Sequence, residues 1–247
     1  MSGEARRSPG VVLAHGFTQT SGNWDLFADG LRTRRPDLDV RAVDLPGHGT
    51  ATRLRRDLWG SARHLVHQGG AATYVGYSMG GRVALHAALL RPDLVDRLVL
   101  VGATAGIDGA DERAARRLAD ERLADRLLQM SLAAFLDEWL SLPLFAGLDD
   151  EAAGRQHRLT NTRAGLASSL RLAGTGTQEP LWDRLDEIVC PTLILVGADD
   201  AKFRAIGERL VGAIPRAHLA VVAGAGHSVH LERPELTLDA LAAFLDD

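Results

Sequence analysis

A serine set between glycines, with an aspartate and a histidine far downstream, supplies the three groups of a proton relay. The serine is Ser78 in Gly76-Tyr77-Ser78-Met79-Gly80, a G-x-S-x-G pentapeptide. The strand-like Ala72-Thr73-Tyr74-Val75 precedes it and the helix-like run Gly81–Leu90 follows. A serine on such a sharp strand-to-helix turn is held exposed at the top of a sheet. It also sits at a helix N-terminus, where the dipole and free N–H groups favour negative charge. The flanking glycines allow the sharp turn and the close approach of strand and helix. These features predict a reactive Ser78.

A serine of this kind is served by an acid and then a histidine, in that chain order. Gly197-Ala198-Asp199-Asp200 follows the strand-like Leu193–Val196, and Gly226-His227 follows Ala217–Val222. Strand carboxyl ends are where open α/β sheets place their ligands, so the two loops can meet over Ser78. His227 would take the Ser78 proton and Asp200 would fix the imidazole tautomer. Asp199 competes with Asp200, and His230 competes with His227. Gly226 gives His227 the sharper, more exposed turn. Early in the chain, His15-Gly16-Phe17 follows another strand. Backbone amides of Phe17 and of Met79 are the candidate oxyanion donors. His15 is read as shaping that loop, and Asp44-Leu45-Pro46-Gly47-His48-Gly49 as a tight turn beside the site, with His48 structural.

The elements that must position these groups alternate. Short apolar strands are expected at Val11–Ala14, Val40–Val43, Thr73–Tyr77, Leu98–Val101, Leu193–Val196 and Ala217–Val222. Helices are expected near Trp24–Arg34, Leu54–His67, Met79–Leu90, Arg204–Ala213 and Leu236–Leu245. This pattern predicts an α/β fold with a mostly parallel sheet flanked by helices. Between about residues 107 and 182 the strands stop. Helical stretches at Asp111–Gln129, Leu132–Leu142, Asp150–Thr160 and Arg163–Leu172 form an all-helical cap insertion. The expected division is therefore a core over 1–106 and 183–247, interrupted by the cap at 107–182. The arginines of Asp111–Gln129 pair at i,i+4 with acids, as on a solvated helix face.

Composition narrows the classes. The 247 residues suit one large α/β domain, and 46% hydrophobic with 24% charged residues is ordinary for a globular chain. A net charge of −4 gives no footprint for nucleic acid. Of the 28 basic residues only Lys202 is a lysine. Cys190 is alone, which excludes an intramolecular disulfide and a cysteine metal cluster. The N-terminus lacks an apolar secretory core and no run reaches transmembrane length, so a cytoplasmic protein without a membrane partner is expected. No metal site, phosphate loop or dinucleotide fingerprint is present, and no cofactor is implied. Nothing selects between a monomer and a homo-oligomer.

These motifs, in this order and over nearly the whole chain, resemble the α/β-hydrolase superfamily. Only ten residues precede Val11, so the leading strands of a full hydrolase sheet are expected to be missing. Within the superfamily the chain is similar to the 2-succinyl-6-hydroxy-2,4-cyclohexadiene-1-carboxylate synthases of menaquinone biosynthesis. The likeness is carried by Gly76–Arg82, by Asp200-Ala201-Lys202-Phe203, and by cap segments. Those segments are Glu112–Arg116, Trp139 with Pro143-Leu144-Phe145, Arg158 with Asn161, Gly174–Gln178 and Leu181-Trp182. The resemblance implies a lyase that eliminates pyruvate from a small acidic substrate, with the triad acting as a general base. It further implies that Arg82, Arg116 and Arg158 bind substrate carboxylates and that Tyr77 and Trp139 line the pocket. Arginine suits that task because its planar fork grips carboxylates bidentately. The same triad would also serve a carboxylesterase, thioesterase or carbon–carbon hydrolase working through an acyl-enzyme. A ligand-binding receptor on a degenerate hydrolase scaffold is the non-enzymatic reading.

Overall fold

A computed structural model describes residues 9–149 and 151–246. Six parallel strands form one sheet: β1 (Gly10–Ala14), β2 (Asp39–Val43), β3 (Ala72–Tyr77), β4 (Val95–Val101), β5 (Thr192–Gly197) and β6 (Ala217–Val222). Their spatial order is β2-β1-β3-β4-β5-β6, with every neighbouring pair parallel. Alternate residues of each strand serve opposite faces, as the two-residue period of a strand requires. Val12, Tyr74, Leu98, Leu100 and Ile194 join one apolar layer. Val11, Leu13, Val75, Val99 and Leu193 join the other. Both faces are dry, which is why these strands read as unbroken apolar runs.

The first layer packs against α2 (Leu58–Gly69), α3 (Met79–Leu90) and α8 (Ala201–Ala213). The second packs against α1 (Asp25–Arg34) and α10 (Pro234–Asp246). Between β4 and β5 lie α4 (Ala110–Gln129), α5 (Leu132–Leu140), α6 (Arg155–Arg158) and α7 (Arg163–Ala173). A separate apolar cluster of Ala124, Leu127, Phe135, Leu136, Leu166 and Leu170 joins α4, α5 and α7. A one-turn helix, α9 (Val229–Glu232), follows β6. No helix among the described residues is long and apolar enough to cross a membrane.

Several boundaries differ from expectation, each for a local reason. The helix expected from Leu54 begins at Leu58, because Asp57 caps it by accepting the Gly60 amide at 2.6 Å. The helix expected from Arg204 begins at Ala201, because Asp200 accepts the Phe203 amide at 3.1 Å. The expected helix at Asp150–Thr160 is instead turns followed by the single turn of α6; Asp150 itself lies outside the described residues. There Gly154, at φ 58°, breaks the helical path just before Arg155. The expected first two strands of the chain are found as β1 and β2, and the N-terminal segment 1–8 lies outside the described residues.

Candidate active site

Ser78 connects β3 to α3 at φ 50°, ψ −105°, a conformation that side chains rarely adopt. Its amide donates to Val101 O at 2.8 Å, which pins the turn to the neighbouring strand β4. A side chain at position 80 would place its Cβ 2.1 Å from Ala14 O. The glycine therefore lets α3 start directly against the end of β1, beside the His15–Phe17 loop.

Asp200 and His227 arrive from the carboxyl ends of β5 and β6. His227 Nε2 lies 3.3 Å from Ser78 Oγ, and His227 Nδ1 lies 3.0 Å from Asp200 Oδ2. Asp200 works with both oxygens: Oδ1 caps α8 and Oδ2 takes the histidine. Burial pushes the Asp200 carboxyl up, but the His227 and Phe203 hydrogen bonds and the nearby charges hold it below the usual carboxylate range. An ionised Asp200 keeps the imidazole proton on Nδ1 and leaves Nε2 facing the serine as a base. Gly102 provides room for this ring, since a Cβ there would lie 2.9 Å from His227 Cε1. The competing residues stand elsewhere. Asp199 is exposed. His230 is buried behind the site, its ring 4.3 Å from Trp24 and 4.5 Å from Tyr77.

Both oxyanion candidates border the same cavity of about 720 Å³ as Ser78 and His227. Met79 is the first residue of α3, so its amide has no intrahelical acceptor. The Phe17 amide donates to no protein acceptor among the described residues. His15 shapes this loop. The Leu45 amide donates to His15 Nε2 at 3.0 Å, so the Nδ1–H must donate to Gly16 O at 2.8 Å. Desolvation lowers His15 to about 4, and it is held as this neutral tautomer.

The arginines separate into two kinds. Arg82 is buried, donating from Nη1 to Ala173 O at 2.9 Å and more weakly to Gln178 Oε1 at 3.4 Å. Arg158 is also buried, donating from Nε to Ala153 O at 2.7 Å and from Nη1 to Thr18 Oγ1. Neither has a carboxylate partner among the described residues, both border the cavity, and desolvation lowers each to about 10. Arg116 borders the cavity too, but its Nε donates to Asp120 Oδ1 at 2.8 Å, and Asp120 is only 3% exposed. Its charge is already matched.

Tyr77 and Trp139 both border the cavity. The Tyr77 hydroxyl is engaged with Ser228 Oγ at 2.6 Å, and its ring lies 5.4 Å from that of His227. Tyr77 thus backs the histidine. Trp139 packs on Phe17 at 5.1 Å, and its buried Nε1–H has no protein acceptor.

Sequence reasoning missed Thr18, which holds Arg158, and Asp120, which matches Arg116. Asp120 had a signal, the i,i+4 spacing from Arg116. Thr18 had none, because a threonine at φ 68° contradicts its own local preference.

A model of the alpha/beta hydrolase family matches residues 11–240 of this chain. The chain is 35% identical to a Bacillus subtilis (strain 168) protein provisionally named 2-succinyl-6-hydroxy-2,4-cyclohexadiene-1-carboxylate synthase, over 96% of this chain and 90% of that one. It is 33% identical to the synthase of that name from Citrobacter koseri, over 96% and 94% of the two chains. The structure of MenH from S. aureus superimposes with a TM-score of 0.88 at 30% identity, covering 100% of this chain and 96% of that one. The chain therefore belongs to the alpha/beta hydrolase family and, within it, to the group of enzymes named 2-succinyl-6-hydroxy-2,4-cyclohexadiene-1-carboxylate synthases.

Proposed function

We propose that this enzyme eliminates pyruvate from 2-succinyl-5-enolpyruvyl-6-hydroxy-3-cyclohexene-1-carboxylate to give 2-succinyl-6-hydroxy-2,4-cyclohexadiene-1-carboxylate. One observation carries the reading: two buried guanidiniums, Arg82 and Arg158, face the Ser78 cavity with no carboxylate of their own. An uncompensated buried cation is costly to keep, and an anionic ligand repays it. A substrate with several carboxylates fits that demand better than a neutral ester does.

The chemistry then needs a base and an electrostatic clamp. His227 draws the proton from Ser78 Oγ, and Ser78 Oγ removes the ring proton beside the succinyl ketone. The freed electron pair forms a ring double bond, the existing ring double bond moves one position, and the bond from the ring to the enolpyruvyl oxygen breaks with its pair. The departing enolpyruvate takes up a proton and becomes pyruvate. The amides of Phe17 and Met79 hold the negative charge that develops on the ketone oxygen. No atom of the substrate becomes bonded to Ser78.

A coupled pyruvate assay tests this. The substrate is generated in situ from its precursor, the spontaneous rate is subtracted, and short p-nitrophenyl esters are run in parallel. Rapid pyruvate release, lost in Ser78→Ala, with weak ester cleavage is the expected result. Background pyruvate release with brisk ester cleavage would establish a serine hydrolase acting through an acyl-enzyme instead.

A further inference from the structure

Five cationic side chains border the cavity: Arg82, Arg116, Arg158, Lys202 and Arg209. Two are matched within the protein. Arg116 pairs with Asp120 at 2.8 Å, and Arg209 pairs with Asp108 while lying 3.5 Å over the Trp182 ring. Among the described residues Arg82, Arg158 and Lys202 have no carboxylate within ion-pair distance. Of the three lining carboxylates only Glu112, one turn before Arg116 on α4, lacks a cationic partner. The unmatched cations come from three separate elements: α3, α6 and the first turn of α8.

Lys202 is the sole lysine of the chain, and its placement is specific. It stands two residues after Asp200, on the helix that Asp200 caps. Its ammonium lies 5.9 Å from the Phe203 ring, and that ring lies 4.4 Å from the His227 ring. The residue is exposed yet borders the cavity. A compact ammonium on a flexible four-carbon stem suits a cation that must follow a ligand in and out, whereas the two buried guanidiniums are fixed by backbone and side-chain oxygens.

We propose that Lys202 is a specificity-determining residue that binds a third carboxylate of the substrate, completing a cation set with Arg82 and Arg158. This inference rests on the lyase reading, whose substrate carries three carboxylates, one each on the ring, the succinyl arm and the enolpyruvyl group. Arg116, held to Asp120, is the supporting charge and Lys202 the free one. Lys202 touches substrate without taking part in proton transfer, so its loss weakens binding and leaves the chemical step intact.

Steady-state pyruvate release by wild type, Lys202→Met and Lys202→Arg tests this, with succinate and pyruvate as competing inhibitors. Lys202→Met is expected to raise KM roughly twofold to fivefold, the range of a partly exposed ion pair, with kcat little changed. Its kcat/KM should also lose part of the salt sensitivity of wild type, because one cation fewer attracts the substrate. Lys202→Arg should recover most of the KM. Weaker inhibition by succinate alone would assign Lys202 to the succinyl arm, and weaker inhibition by pyruvate alone would assign it to the enolpyruvyl carboxylate. Weakening of neither, with KM of Lys202→Met raised and its salt sensitivity reduced, would assign the ring carboxylate. Unchanged KM and unchanged salt dependence in Lys202→Met would overturn the proposal. If wild type itself released no pyruvate, the lyase reading would fail first, and that outcome is separate from the Lys202 comparison.

Discussion

Arg158, from the helical insertion, donates to the hydroxyl of Thr18, the residue that follows Phe17 in the core. Asn161 reinforces the junction by donating its side-chain amide to Thr18 O at 2.7 Å. Thr18 is fully buried at φ 68° and holds that posture because two insertion residues grip it. One residue thus ties a carboxylate-binding candidate to the loop that carries an oxyanion-donor candidate. Thr18→Val removes the acceptor hydroxyl at constant volume. A hydrogen bond to a charged group is worth about 1.5–3 kcal/mol, so kcat/KM for pyruvate release should fall roughly 10- to 100-fold. Thr18→Ser should restore it. Equal kinetics for Thr18→Val and wild type would uncouple Arg158 from this loop.

Arg82 is expected to trade stability for binding. Its guanidinium is buried with no carboxylate in ion-pair contact, only the more distant charge of Asp120, so Arg82→Met removes a desolvated cation at the expense of hydrogen bonds to Ala173 O and Gln178. We expect kcat/KM to drop by about a hundredfold or more, while the melting temperature stays level or rises. A variant that loses activity only in proportion to lost thermal stability would make Arg82 a structural residue.

The strain at Ser78 is measurable in the same way. A residue held at φ 50°, ψ −105° costs of order 1–3 kcal/mol. Glycine escapes that penalty and loses about 0.5–1 kcal/mol of chain entropy instead. Ser78→Gly should therefore be about 1 kcal/mol more stable than Ser78→Ala, both being inactive. For a chain of this size that is roughly 2–4 °C in Tm. Ser78→Ala melting at or above Ser78→Gly would show that the elbow stores no strain.

The elbow and the meeting of Asp200 and His227 beside Ser78 were legible because they are written in local signals. Gly76 and Gly80 flank the serine, and Asp200 and His227 each follow an apolar run of strand length. The tertiary partners were not. The chain shows Arg116 and Asp120 one turn apart but not that Asp120 is buried and also accepts the Gly176 amide at 3.1 Å. Likewise Tyr77 beside Ser78 reads as a pocket residue, yet its hydroxyl is taken by Ser228, 151 positions away. The α6 region misled for a related reason. Its helical composition yields to Gly154 and to the contact between the Asn23 side chain and Gly154 O at 3.3 Å, which sequence spacing does not announce.

Acid should unfold the protein before its carboxylates titrate. Desolvation is the main cause lowering four buried histidines: His15 and His86 to about 4, His48 and His230 to about 3. Each is neutral in the fold, while in the unfolded chain it takes a proton near pH 6.5. Between the two values the unfolded state binds more protons, so stability rises with pH. The contribution is complete above about pH 6.5 and drains away as pH falls toward about 3. For His15 alone the displacement amounts to about 3 kcal/mol, against a typical domain stability of roughly 5–15 kcal/mol. Asp200, held below the usual carboxylate range, keeps its charge throughout this window. Thermal melts should therefore show Tm falling steadily from pH 7 to pH 5. A flat Tm over that range would mean that these histidines are hydrated or already charged in the fold.

The central claim is that Ser78 removes the ring proton beside the ketone and forms no bond to the substrate. Rapid-quench, single-turnover pyruvate release, compared for substrate carrying hydrogen or deuterium on the ring carbon that bears the succinyl group, tests it most directly. The account predicts release several-fold slower from the deuterated substrate. Equal rates for the two substrates would place the decisive step outside removal of that proton and contradict proton abstraction as the step that drives pyruvate release.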